Sequence, residues 1–298
     1  MTIPRFYGGE RVNIKRVGTR GYLATFDKPY LTNVYVINGS EHVFVCDTFL
    51  GPKPMQNLLS SLRKLHVINK PVVVFNSHHH YDHVWGNMHF PSSMILAHMD
   101  CRKRMEQTGK KDLVEFNQHA QGQVTVALPN VVFTDRVVFS DEQVEFFHSP
   151  GHTSDSSSCF DEIDKILFVG DNVESAIPYL NEPNLDSYES TLASYANTEW
   201  NSLVAGHDPL ITDRSLLTRN LAYVKGFRDH AADLNDIASG DLSRHFTNLL
   251  TVCQVLVSQG KRSEAERYYD EAKHLLGSKR DDGSARALLD SLRKMFDE

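Results

Sequence analysis

Residues 75–87 read FNSHHHYDHVWGN, so four histidines and an aspartate fall within positions 78–83, directly after the apolar run VVVF at 72–75. Imidazole and carboxylate are the side chains that bind divalent metal ions. A chain that crowds them at one strand end must fold so that further donors meet them. In an extended chain, side chains two apart share a side, so His78 and His80 can address one ion together. Asp82 and His83 are neighbours and point apart unless the backbone turns after His80. If it turns, they address a second ion beside the first. Each ion then has two ligands from this segment, and a tetrahedral site needs more. Histidines or carboxylates are therefore expected at strand ends downstream.

Three such positions follow. The strand-like run VEFFH (144–148) leads into SPGHTSD, with His152 in a glycine-containing turn. The run ILFVG (166–170) ends at Asp171, and LVAG (203–206) ends at His207. Upstream, VFVCD ends at Asp47. All lie at the C-terminal ends of apolar strands, where α/β sheets carry their functional loops.

With 298 residues, 41% hydrophobic and 23% charged, the chain can bury a substantial core, in one large domain or in one domain plus a smaller one. Strands are expected at 34–39, 43–47, 72–75, 95–98, 131–133, 136–140, 144–148, 166–170 and 203–206. Helices are expected from Pro54 to His66, with Met55, Leu58, Leu59, Leu62 and Leu65 on one face, and over 99–119, 187–198 and 213–236. From about 237 no strand pattern remains: 249–276 reads as two helices turning at Gly260, and a last helix covers 283–296. The segment SQGKRSEAERYYDEA resembles the second half of a tetratricopeptide repeat. One repeat does not make a solenoid, so a helical hairpin is expected. The expected division is 1–236 for the main domain and 237–298 for a helical extension.

The net charge is −7, and no Lys/Arg block is long enough to track a phosphate backbone, which speaks against nucleic acid as a ligand. No apolar run approaches the roughly 20 residues of a membrane span. The N-terminus, MTIPRFYGGERV, lacks the basic-then-apolar pattern of a secretion signal. Cys46, Cys101, Cys159 and Cys253 form no CxxC pair. These features predict a cytoplasmic protein that acts on a small molecule, with no membrane partner and with its C-terminal helices available for a homo-oligomer contact or as a lid.

The ordered set HHHYDH, SPGHTSD, FVGDN and AGHDP, with Asp47 in VFVCDTFLG, resembles the metallo-β-lactamase superfamily over about residues 20–235. The resemblance implies an α/β fold, a four-layer αββα sandwich, here with an α-helical C-terminal extension. It implies one metal ion held by His78, His80 and His152 and a second held by Asp82, His83 and His207, with Asp171 and a hydroxide bridging them. The pair would generate the attacking hydroxide at neutral pH, Asp82 and Asp171 would offset part of the metal charge, and Asp47 would orient a ligand. Zinc is the ion such mixed His/Asp sets take by default, and iron or manganese suits the same donors. The oxygen-reducing di-iron branch carries a carboxylate where His80 stands here, so the resemblance implies hydrolysis.

Substrate residues are less legible. Trp85 replaces a glycine common in relatives and either floors a pocket or covers the loop. Tyr30 and Phe26, on a connection that flanks the site in relatives, are candidate wall residues, as is Tyr179, eight residues after Asp171. His79 is read as an exposed neighbour, and His42, His66, His89, His98 and His148 as structural or surface. The first expectation is hydrolysis of a small ester, thioester or lactone. β-Lactam or sulfate and phosphate ester hydrolysis by the same fold is the second. A metal-containing binding protein whose helical tail docks a partner is an alternative of a different class.

Overall fold

The computed structural model describes residues 12–232, 237, 241–277 and 283–297. They fall into two compact units. The first comprises the chain up to 150 with 155–173 and 197–214, and the second comprises 151–154, 174–196 and the chain from 215 onward.

The first unit holds two sheets. Seven strands form the first in sequence order: β1 (Asn13–Val17), β2 (Gly21–Phe26), β3 (Thr32–Asn38), β4 (Val43–Cys46), β5 (Val72–Asn76), β6 (Met94–His98) and β7 (Val131–Phe133). Pairing is antiparallel from β1 to β4 and parallel from β4 to β7. Parallel neighbours need crossovers, and α1 (Pro52–Lys64) and α3 (Met99–Glu115) supply two of them, with the short α2 (Tyr81–Val84) after β5. The second sheet runs β12-β11-β10-β9-β8, from β8 (Arg136–Phe139), β9 (Val144–His148), β10 (Ser157–Asp161), β11 (Ile166–Gly170) and β12 (Ser202–Ala205). Only β11 and β12 pair in parallel.

Period-two alternation divides the first sheet between two cores. Val34, Val36, Val45 and Val74 pack with Met55, Leu58, Leu59 and Leu62 of α1. Tyr35, Ile37, Phe44 and Phe75 face the other way and meet Phe146, Cys159 and Phe168 of the second sheet. Phe75 is fully buried there, its ring 4.7 Å from Phe146 and 6.5 Å from Phe168. This core makes the strand ends rigid, and the candidate donors stand on those ends.

Three strands escape the expected pattern. β1 is an edge strand reading NIKRV, mostly exposed. β2 carries the small residues Gly21, Ala24 and Thr25, which blur its alternation. β10 starts from Ser157 and Ser158, whose burial is compensated by hydrogen bonds such as Ser149 Oγ to Ser158 Oγ at 2.8 Å. Helix α1 spans Pro52–Lys64 instead of Pro54 to His66, because the prolines occupy its first turn and His66 takes a left-handed φ of 58° that ends it. The helix expected over 213–236 is α5 (Ser215–Arg228), and positions 233–236 lie outside the described residues.

The second unit is helical: α4 (Leu185–Asn197), α5, α6 (Leu242–Ser258), α7 (Arg262–Gly277) and α8 (Gly283–Asp297). The α6–α7 hairpin turns at Gly260, where φ is 75°. Tyr223 of α5 bonds His245 and Asn248 of α6, both at 2.9 Å, and Phe227 stacks on Tyr268 of α7 at 5.3 Å. Asn248 also donates to the Pro178 carbonyl and accepts from Leu180 N–H. α5 and the 174–180 segment therefore pack with the C-terminal helices. All four cysteines are buried free thiols, and no helix among the described residues is long and apolar enough to cross a membrane.

Replacing Phe75 with Ala is expected to cost about 3–5 kcal/mol, since it leaves a cavity between the sheets. Urea unfolding followed by circular dichroism reads this as a lower midpoint.

Candidate metal centre

After β5 the chain bends through Ser77–His80 and then enters α2, which supplies the turn that Asp82 and His83 require. Three further donors follow β9, β11 and β12 in sequence. The turn 149–156 carries His152 and is closed by Ser149 N–H donating to the Ser156 carbonyl at 2.9 Å. Asp171 follows β11, and His207 follows β12. The structure brings all seven together in two groups. One ligand atom from each of His78, His80, His152 and Asp171, and one from each of Asp82, His83 and His207, lie within 4.8 Å of one another in their group.

The ring nitrogens that face inward are set by partners on the other side of each ring. His83 Nδ1 is 2.7 Å from Asp47 Oδ2, leaving Nε2 3.3 Å from Asp171 Oδ1 and 3.7 Å from Asp82 Oδ2. His207 Nδ1 donates to the Leu31 carbonyl at 2.7 Å, leaving Nε2 3.2 Å from Asp171 and 3.4 Å from Asp82. His78 Nδ1 is 3.0 Å from Ser77 Oγ, which donates onward to Asp47 Oδ2 at 2.8 Å. That leaves His78 Nε2 facing His80 Nδ1 at 2.9 Å and Asp171 Oδ2 at 3.7 Å. In the second unit, Asn181 Nδ2 lies 3.0 Å from His152 Nε2. A largely buried set of imidazole nitrogens and carboxylate oxygens turned inward in this way matches what a divalent ion needs, so the donors fit the metal that the resemblance implies.

Two glycines keep the space open. A Cβ at Gly206 would lie 2.0 Å from Asp171 Oδ1 and 3.0 Å from His83 Cε1. Gly170 has φ 52°, and a Cβ there would lie 2.6 Å from Ser77 Oγ.

Three acids, Asp47, Asp82 and Asp171, act on the His83 imidazole, and Asp82 and Asp171 act also on that of His207. Burial disfavours charge on His83, but Asp171, Asp82 and Asp47 override it and raise the imidazole pKa well above its ordinary value. Burial likewise opposes, and Asp171 and Asp82 outweigh it, to raise His207. Against burial, His83 and His207 hold Asp82 and Asp171 below the usual carboxylate range. A divalent ion would compete with protons for these nitrogens.

The substrate candidates meet different fates. Tyr30 donates to Asp82 Oδ2 at 3.1 Å and meets Tyr81 Oη at 2.9 Å. Its ring stands edge-on to His207 at 5.5 Å. Trp85 is 3% exposed and packs into the core between the first sheet and its helices, so its indole belongs to the packing under the loop. Phe26 is also core, stacked on Phe49 at 4.4 Å. Tyr179, in the second unit, is 40% exposed with the Arg244 guanidinium over its ring at 4.4 Å. His79 is not an exposed neighbour: its side chain is 11% exposed and bonds Asp155. His42 pairs with Glu142, and His98 stacks on His148 at 4.0 Å, so neither joins the donor groups. Sequence reasoning missed Ser77, the Leu31 carbonyl and Asn181, which touch the candidate ligands. Adjacency to the histidine cluster pointed to Ser77, whereas nothing local marked the other two.

Comparison with known proteins shows the family. The family model described as Metallo-beta-lactamase superfamily matches residues 27–207, more than half of the chain. The chain belongs to that superfamily. Among curated members, it is 26% identical over 181 residues to the acyl-coenzyme A thioesterase MBLAC2 of Homo sapiens, covering 53% of this chain and 65% of that protein. It is 32% identical over 108 residues to a hydroxyacylglutathione hydrolase of Cyanothece sp., 35% of this chain and 34% of that one. It thus spans less than two thirds of the length of these superfamily members. Solved structures share the fold: the metallo-β-lactamase of Pontibacter korlensis superposes with a TM-score of 0.59 at 18% identity, covering 72% of this chain and 99% of that one. That of Hirschia baltica gives 0.57 at 15% identity, covering 72% and 97%.

Substituting Gly206 by Ala is expected to displace the Asp171 carboxylate and lower metal uptake. Elemental analysis of the dialysed variant, set beside the unaltered protein, checks this, with unchanged far-UV circular dichroism showing that the sheets remain.

Proposed function

We propose that the protein is a hydrolase of small acyl thioesters that works with two divalent metal ions, zinc by default for this donor chemistry. The observation that carries the reading is the convergence of His78, His80, His152 and Asp171 beside Asp82, His83 and His207. The choice of thioester over ester, lactone or β-lactam rests on the two named relatives, both thioester hydrolases by their descriptions.

In this reading His78, His80 and His152 would hold one ion, and Asp82, His83 and His207 would hold the other. Asp171 would serve both, since Oδ2 faces His78 and His207 while Oδ1 faces His83. Two such ions would supply a deprotonated water at neutral pH and polarise the scissile carbonyl. The chain's own part is to hold the donors still. Asp47 and the Leu31 carbonyl fix the His83 and His207 rings with Nε2 inward. The Tyr30 phenol, its pKa pushed up by burial and by Asp82, stays protonated and pins one Asp82 oxygen. Asp82 and Asp171 remain ionised and contribute the negative charge that two dications require.

A thiol-trapping assay over short and long acyl thioesters on different carriers, with matched oxygen esters, a lactone and a cephalosporin, tests the reading. Turnover of thioesters that a chelator abolishes and added zinc restores is expected. Chelator-insensitive turnover, or none on any thioester, sinks it. Changing Asp171 to Ala is expected to loosen both ions, and retention of two full equivalents by elemental analysis would remove its shared role. Because raised imidazole pKa values on His83 and His207 mean protons must leave as an ion enters, affinity is expected to fall as pH falls through and below neutrality. Calorimetry in buffers of different ionisation enthalpy reads the released protons directly.

A further inference from the structure

His79 stands between two candidate ligands yet belongs to neither group. Its Nδ1 lies 2.9 Å from Asp155 Oδ1, and its backbone N–H donates to Asp155 Oδ2 at 3.0 Å. One carboxylate therefore grips both the ring and the peptide of the same residue. Since a carboxylate only accepts, His79 Nδ1 carries the proton. The Asp155 side chain is fully buried. From α3, Arg104 Nε approaches it to 3.5 Å. Asp155 also follows His152 by three residues, at the closing end of the 149–156 turn.

A buried carboxylate with this many partners is costly to desolvate and is kept where geometry matters. What it fixes here is the alternation of the loop. With the His79 peptide and ring drawn to Asp155, His78 and His80 are left side by side, ring centroids 4.5 Å apart, presenting Nε2 and Nδ1 to each other. Asp47 holds the same loop from its other flank, through Ser77 N–H at 2.8 Å and the His83 ring. Between the two grips, Ser157 N–H donates to the Ser77 carbonyl at 2.8 Å.

We infer that His79 and Asp155 form a positioning pair that sets the His78–His80 half of the centre, distinct from Asp47, which also orients His83. The inference rests on the metal reading given above. Partners of this kind govern affinity by roughly 10–100-fold, so the pair's loss should weaken one ion by about that factor and leave the other near its original affinity.

The test compares His79→Leu and His79→Asn in the full chain, with thermal unfolding of each. Asn places its Nδ2–H where the histidine has Nδ1–H, so it keeps the donor to Asp155, whereas Leu removes it. Zinc affinities are read by competition with a chromophoric chelator. The expected result is a roughly 10–100-fold loss for one ion in His79→Leu, with most of it restored in His79→Asn. Equal affinities in all three proteins overturn the pair's role. So does an equal loss of both ions with a lowered unfolding temperature that His79→Asn does not restore, which marks a merely structural residue. If the unaltered protein takes up no ion, the metal reading fails and takes this inference with it; if it binds ions and His79→Leu matches it, only this inference fails.

Discussion

The Asp47 carboxylate is the point on which the centre is assembled. Directly after β4 its backbone turns left-handed, with φ at 64°, a conformation in which aspartate is enriched among side-chain-bearing residues. That turn carries a fully buried carboxylate to the histidine-rich loop, where Oδ1 takes the Ser77 N–H and Oδ2 takes both the Ser77 hydroxyl and the His83 ring. Through Ser77 it reaches His78 as well. One group thus orients a ring in each donor set. A buried charge with every contact directed at one loop is stable only while that loop keeps its shape, so the strain at Asp47 and the loop's order support each other. The rigidity behind it comes from aromatic packing between the sheets, where Phe44, Phe75, Phe146 and Phe168 meet.

Much of this was legible in the order of residues. Chemistry restricted to histidine and acid at strand ends picked out His78, His80, Asp82, His83, His152, Asp171 and His207, and the structure gathers each of them. The strands that carry them are continuous β-branched or aromatic runs, a signal that survives without tertiary information. β1 and β10 were invisible for the opposite reason. NIKRV is polar because it lies on an edge, and SSCFD is buried only because its hydroxyls find partners created by the fold. The orienting contacts were equally hidden. The Leu31 carbonyl that fixes His207 is backbone, and any sequence has one. Trp85 illustrates the converse: a large aromatic beside a histidine-rich motif attracts a binding role, yet here its size fills the core under the loop.

The helical unit has its own polar logic. Asn220 and Asn248 sit buried and spend their amides on backbone groups at 174–180: Asn220 accepts from Glu174 N–H and donates to its carbonyl, and Asn248 spans Pro178 and Leu180. Side-chain amides can satisfy donors and acceptors of an irregular segment that no helix or sheet provides for. The tetratricopeptide-like pattern in α7 accounts for the hairpin with α6, while the tie from α5 through Tyr223 to His245 and Asn248 lay beyond any local repeat.

All four sulfhydryl groups of the chain lie in its interior, at zero exposure. With no cysteine at the surface among the described residues, the protein presents no accessible thiol to oxidants or to disulfide-bearing molecules in its surroundings.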